Sequence, residues 1–214
     1  MPATTLHILV GDDQPVFRRG TRDLLCEHLA PVEVEEATSG PEMVLMAQRK
    51  SWDLIIMDVR MPGKSGTELL QDLLRVRPST PVLAISTHSE QAYAVRMIRS
   101  GASAYLTKSS TPDVLINAVK TILSGHKYIG PEVAECLATS VQVGSLKPTH
   151  ELLSNREFQI LQLLVMGKPL KAIADELCVS PNTISTYRTR VLDKLHVRSN
   201  AELARYAIEN HLID

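Results

Sequence analysis

No apolar run in this 214-residue chain approaches the ~20 residues a helix needs to cross a bilayer. Its first residues, MPATTLHILVGDD, carry no basic stretch ahead of their short apolar run, so no secretory leader is expected. Cysteine is scarce: Cys26, Cys136 and Cys178 are odd in number, widely spaced and form no C-x-x-C. That excludes a disulfide framework and favours free, buried thiols in a reducing cytoplasm. The seven histidines are scattered, and none pairs with another or with a cysteine at the spacing a zinc site requires. The net charge of −1 leaves the question of a nucleic-acid partner to local patches. A phosphate-cradling loop is also missing. Gly63-Lys64-Ser65 ends like one, but the position five before Gly63 is Asp58 rather than glycine, a negative charge where the anion should approach. A turn and a helix start after Pro62 are expected instead.

What remains is an ordinary globular composition, 44% hydrophobic and 22% charged, long enough for two modest domains. The first 126 residues alternate short apolar runs with helical stretches. The runs Leu6–Gly11, Val32–Ala37, Asp53–Asp58, Pro81–Ser86 and Ala104–Thr107 are short and mostly apolar throughout, as central parallel strands are. Between and after them fall helical stretches at Val16–Leu29, Pro41–Lys50, Thr67–Val76, Glu90–Ser100 and Pro112–Leu123. Five β-α repeats imply an α/β fold, a flavodoxin-like doubly wound five-stranded parallel sheet. The alternation Val32-Glu33-Val34-Glu35 suits its edge. Residues 127–150 read as linker with a short helix opened by Pro131. Residues 151–214 follow as a smaller all-α domain of four helices: Ser154–Met166, Pro169–Leu177, Pro181–Leu195 and Asn200–Asn210.

Ligands of an open parallel sheet bind beyond the carboxyl ends of its strands. There the first strand delivers Asp12 and Asp13, the third Asp58, the fourth Ser86, and the fifth a run ending in Lys108. Three carboxylates so close repel unless a hard cation sits among them, and Mg²⁺ suits because it keeps coordination positions for water and phosphate oxygens. With the acids neutralised, one carboxylate can attack a phosphoryl group. Lys108 can hold a phosphate oxygen as a point charge, and the Ser86 hydroxyl can donate to another.

Asp12-Asp13, LIIMDVRMPGKSG, Ser86 and GASAYLTK together resemble the receiver domain of bacterial two-component response regulators. The resemblance implies that Asp58 accepts phosphate from a sensor histidine kinase. It also implies that Asp13, Asp58 and the Arg60 carbonyl ligate magnesium, with Asp12 completing the acid set. Ser86 becomes the switch hydroxyl, Tyr105 the rotating aromatic and Lys108 the phosphate-contacting lysine. Two positions depart from the family pattern. Ser109 follows the lysine where proline in a cis peptide is common, and Gln14 stands where many relatives carry histidine.

In the second domain, a helix, the tight turn CVSPN and a helix opened by Pro181 make a helix-turn-helix, whose later helix would read DNA. Ala174 is small where those two helices would approach. On a helical wheel Ile184, Val191, Leu192 and Leu195 share the core arc. Asn182, Ser185, Thr186, Thr189, Arg190 and Asp193 lie on or near the other, where short polar groups suit base edges and arginine suits phosphates. Arg188 falls on the apolar arc and is expected to pair with Glu157. Residues 151–214 carry eight basic and eight acidic side chains, so affinity should be modest and gain from dimerisation. LSNREFQILQLLVMGKPLKAIADELCVSPNTISTYRTRVLDKLHVRSNAELARYAI resembles the LuxR-type DNA-binding domain, and the whole chain resembles the NarL/FixJ class of response regulators. That class binds double-stranded DNA as homodimers, commonly through its final helix. Here Leu203, Tyr206 and Ala207 form a stripe that serves either a partner or the domain's own core.

The expected function is therefore a DNA-binding transcription regulator switched at Asp58, not a turnover enzyme. Two rivals are a regulator that works unphosphorylated and a Mg²⁺-dependent aspartate-nucleophile phosphatase. The haloacid dehalogenase type of phosphatase wants D-x-D at its first strand end, and this chain has adjacent acids.

Overall fold

The computed structural model describes residues 5–87, 91–131, 133–135, 149–210 and 212. The described residues form two compact units. In the first, β1 (Leu6–Gly11), β2 (Val32–Ala37), β3 (Leu54–Asp58), β4 (Val82–Ser86) and β5 (Ala104–Thr107) make one sheet of order β2-β1-β3-β4-β5. Every pairing is parallel. Parallel neighbours need crossovers, supplied by α1 (Pro15–His28), α2 (Gly40–Arg49), α3 (Gly66–Val76) and α4 (Gln91–Arg99), with α5 (Pro112–Leu123) after the last strand. All five residues of β3 and of β4 are buried, because helices cover both faces of a sheet wound this way. Ile8, Val10, Ile56 and Leu83 pack with Ile116 and Val119 of α5 on one face. The fold is the flavodoxin-like one expected.

The edge strand β2 alternates as anticipated, with one exception. Val32 and Val34 are half-buried and Glu33 and Glu35 outward, but Glu36, in phase with the valines, also turns inward. The glycine-lysine-serine segment is a turn and a helix start. Gly63 takes a left-handed φ of +91°, and Ser65 caps α3 in a reciprocal capping box with Glu68. The Lys64 ammonium is spent on an ion pair with Asp72.

The second unit contains a 3₁₀ turn (Thr149–Leu152) followed by α6 (Asn155–Val165), α7 (Leu170–Glu176), α8 (Pro181–Leu195) and α9 (Asn200–Glu209). Ser154, Ser180 and Ser199 cap α6, α8 and α9, each accepting a hydrogen bond from the backbone three residues on. Phe158, Leu161, Ile173, Ala174, Ile184, Val191, Leu195, Leu203 and Ala207 form its core. Ala174 is buried as the close approach requires, and of the final-helix stripe Leu203 and Ala207 are buried in that core with Tyr206 packed against it. The expected linker and short helix of 127–150 fall largely on residues 132 and 136–148, outside the described ones.

Two expectations are corrected. Cys26 and Cys178 are free thiols but exposed: Cys26 follows buried Leu25 on the outward side of α1, and Cys178 sits in the turn after α7 at φ +51°. Cys136 lies outside the described residues. Arg188 does not pair with Glu157. Its Nε donates to Asn200 Oδ1 at 2.7 Å, joining α8 to the start of α9. The cation on Glu157 is Lys194, with Nζ 2.7 Å from Oε2. Glu157 belongs to the first turn of α6, beside the C-terminal end of α8 that carries Lys194, whereas Arg188 lies six positions, roughly 9 Å of helix, further back.

Glu157 is 4% exposed. Burial raises its pKa, but hydrogen bonds from Lys194 and from the Ser154 backbone and hydroxyl outweigh that and leave it below the ordinary 4.5. A lowered folded-state pKa stabilises above the unfolded-state value and is lost as pH falls through the folded one. Glu157→Gln keeps the capping geometry and loses the charge. It should cost about 1 kcal/mol at neutral pH, the worth of a charge-assisted bond with one half-exposed partner. Calorimetric melts of the whole chain should show that deficit shrinking as pH drops below 4.5; a pH-independent deficit would assign it to packing.

Candidate functional site

At the carboxyl ends of β1, β3 and β5 the chain brings together Asp12, Asp58 and Lys108. Lys108 Nζ lies 2.7 Å from Asp12 Oδ2 and 2.8 Å from Asp58 Oδ2. Asp12 is 2% and Asp58 3% exposed. Asp13 is exposed at the mouth, and the carboxylates of Asp12, Asp13 and Asp58 offer oxygens all within 4.8 Å of one another. The cluster read from strand ends is thus assembled in space.

Each member is placed by local structure. Asp12 donates its backbone N–H to Ala37 O of the edge strand. Its Oδ1 accepts from the Gln14 backbone at 2.8 Å. Gln14 is the N-cap of α1 and offers no side-chain cap bond. Asp58 ends β3, and its Oδ1 accepts from Arg60 N at 2.9 Å, so the following turn folds back over the carboxylate. Lys108 leaves β5 with its backbone N–H on Ser86 O at 2.6 Å. That bond ties the ends of β4 and β5 together, and Ser86 itself is buried. Tyr105, paired in register with Ala84, is buried. Ser109, in the place where proline is common, closes its turn by side chains, its hydroxyl 2.8 Å from Thr107 Oγ1.

Burial pushes the Asp58 carboxyl above its ordinary range, while the Lys108 ammonium and the Arg60 N–H pull the other way without fully cancelling it. For Lys108, burial opposes the charge, and Asp12 and Asp58 more than compensate, holding its pKa above the ordinary 10.5. Phe17, which sequence reasoning missed, lies under this ammonium, with Nζ 4.7 Å from the ring centroid. Arg18 was missed as well. Its Nη1 donates to the Asp12 carbonyl at 2.7 Å and its Nε to Glu36 at 2.7 Å. Glu36 in the inward phase of β2 was the available signal, because a carboxylate there needs a cation.

On α8, Ile184, Val191, Leu192 and Leu195 are buried. Asn182, Ser185, Thr186, Thr189 and Arg190 are all exposed. The Thr186 and Thr189 hydroxyls donate to the carbonyls of Asn182 and Ser185, which leaves their acceptor lone pairs and methyl groups for an incoming surface. The Arg190 guanidinium stands 5.9 Å from the Tyr187 ring centroid. No helix among the described residues is long and apolar enough to cross a membrane.

Residues 8–120 match the family described as "Response regulator receiver domain". Residues 151–207 match "Bacterial regulatory proteins, luxR family". The response regulator GacA of Pseudomonas viridiflava is 34% identical over 210 residues, covering 98% of each chain. The transcriptional activator protein ExaE of Pseudomonas putida is 37% identical over 210 residues, covering 97% of this chain and 98% of that one. Among solved structures, the RcsB response regulator of Salmonella typhimurium shares the fold with a TM-score of 0.73 at 22% identity, covering 97% of this chain and 98% of that one.

Two buried carboxylates on one ammonium make Lys108 costly to remove. Lys108→Ala should destabilise the protein in metal-free buffer by about 3 kcal/mol, the cost of stranding a buried charge. Adding Asp12→Asn should restore part of the loss, because one of the two repelling acids is then neutral. Urea unfolding of the two single variants and the double variant measures the coupling; strict additivity would mean the carboxylates do not share the lysine.

Proposed function

Because this chain belongs to the bacterial response regulators that join a receiver domain to a LuxR-type DNA-binding domain, we propose that Asp58 is its phosphoacceptor and α8 its DNA-reading helix. The observation that carries the first part is the buried Asp58 carboxylate gripped by Lys108 beside Asp12 and Asp13. The proposal assigns residues 1–126 to the receiver, 127–150 to a linker and 151–214 to the DNA-binding domain.

The donor set suits magnesium: oxygen ligands only, one carboxylate exposed at the mouth and two buried behind it. Asp12, Asp13, Asp58 and the Arg60 carbonyl would hold the ion. When bound, it offsets the carboxylate charges so that a phosphoryl group can approach. One Asp58 oxygen bonds to phosphorus as the phosphorus–nitrogen bond of a sensor kinase's phosphohistidine breaks. Lys108, already 2.8 Å from Asp58, then steadies a phosphoryl oxygen, and the Ser86 hydroxyl takes another. Ser86 is tied through its carbonyl to Lys108, and Tyr105 lies two residues before Thr107, which pairs with Ser86. Movement at the phosphate therefore reaches the surface of β5, where it favours a homodimer.

On α8, Arg190 takes a DNA phosphate while Asn182, Ser185, Thr186 and Thr189 meet base edges. Relatives support this reading through their own complexes, RcsB having been solved with DNA. A phosphatase reading has less support, since the adjacent acids Asp12-Asp13 leave no second carboxylate two positions on from the first.

Acetyl phosphate with Mg²⁺ should add a single phosphoryl group by intact mass, and Asp58→Asn should abolish it; undiminished labelling of the variant would move the acceptor elsewhere. Removing Arg190 should weaken binding to all DNA sequences and flatten the salt dependence by roughly one phosphate contact. Thr186→Ala or Thr189→Ala should cost about 1–3 kcal/mol at particular base pairs with the slope nearly unchanged. Salt titrations on cognate and scrambled duplexes separate the two roles.

A further inference from the structure

We infer that Arg18 and Glu36 form a clamp that positions the Asp12-Asp13 peptide, and through it Asp13, for divalent-cation binding. The inference rests on the magnesium site proposed above and adds residues that lie outside its ligand set.

Glu36 occupies the inward phase of β2, in register beside Val10 of β1. Two arginines of α1 satisfy it: Arg18 Nε reaches Oε2 at 2.7 Å and Arg22 Nη1 reaches Oε1 at 3.1 Å. Arg18 is 13% exposed, so its guanidinium has little freedom once Glu36 has fixed one edge. A second edge donates to the Asp12 carbonyl at 2.7 Å. That oxygen belongs to the peptide joining Asp12 to Asp13. The other attachments of Asp12 hold its own N–H on Ala37, its Oδ1 on Gln14 and its Oδ2 on Lys108. The Gln14 bond closes a turn across the Asp12-Asp13 peptide, and Arg18 holds the carbonyl of that same peptide. Asp13, exposed at the mouth, takes its direction from the plane that the two bonds fix.

Positioning and plain electrostatics predict opposite signs. Arg18 puts a positive charge near three carboxylates, so by charge alone its removal should tighten cation binding. By positioning, its removal should weaken binding, as loss of a residue supporting a ligand does, by roughly tenfold or more. Lysine keeps the charge but cannot grip Glu36 and the carbonyl with one rigid fork.

The experiment is calorimetric titration of the full chain with MgCl₂, alongside thermal melts, for wild type, Arg18→Ala, Arg18→Lys, Glu36→Gln and Asp13→Ala. The expected result is an affinity loss of roughly tenfold for Arg18→Ala, with Arg18→Lys failing to restore it and Glu36→Gln showing a smaller loss. Unchanged or tighter binding by Arg18→Ala, while Asp13→Ala binds weakly, overturns the clamp and leaves the metal site standing. Wild-type affinity in Asp13→Ala overturns the metal assignment itself. A lowered melting temperature with unaltered affinity makes Arg18 merely structural and also overturns the clamp.

Discussion

The ammonium of Lys108 is what allows two carboxylates to lie almost fully buried at one end of a sheet. Asp12 and Asp58 come from different strands and repel one another. Burial raises the cost of each charge, and only a cation on both offsets it. Much of the local architecture keeps that cation in place. The Lys108 backbone is tied to β4, and the ring of Phe17 lies beneath Nζ. The turn after β3 returns an N–H to Asp58. Such a cluster is also one that an arriving phosphoryl group would rearrange, because an added anion competes for the same lysine.

The second unit meets a similar constraint at smaller scale. Glu157 caps the first turn of α6 and is buried, so it too needs a cation, and Lys194 supplies it from the last turn of α8. One carboxylate thereby joins α6 to α8, the helix whose outer face is exposed. Arg188 adds a second tie, to Asn200 at the start of α9. Both ties act on the inner side of α8, so Asn182, Thr186 and Arg190 stay outward on a braced helix.

Much of this was legible from periodicity. Apolar runs placed β3, β4 and β5, and the carboxyl end of each is where a parallel sheet presents its ligands, so Asp58, Ser86 and Lys108 could be named without coordinates. The wheel of α8 likewise divided Ile184 and Val191 from Thr186 and Arg190. What periodicity cannot supply is the identity of partners across elements. Arg188 has the right angular phase to meet a carboxylate, but the distance along the axis decides, and that depends on where α6 crosses α8. The thiols failed for a related reason. Cysteine's general preference for burial says nothing of a residue one step past a buried leucine, or of one at positive φ in a turn.

Glu36 shows how a local irregularity can still be informative. An edge strand that reads Val-Glu-Val-Glu and then places glutamate in the valine phase has broken its own pattern. A carboxylate turned toward a helix persists only if that helix offers cations. Arg18 and Arg22 are separated by one helical turn, the spacing that puts two side chains on one face. Their shared acid fixes the face of α1 that meets the sheet, and with it the turn carrying Asp12 and Asp13. An irregularity at the sheet's edge is thus coupled, through one guanidinium, to the acid pair at its functional end.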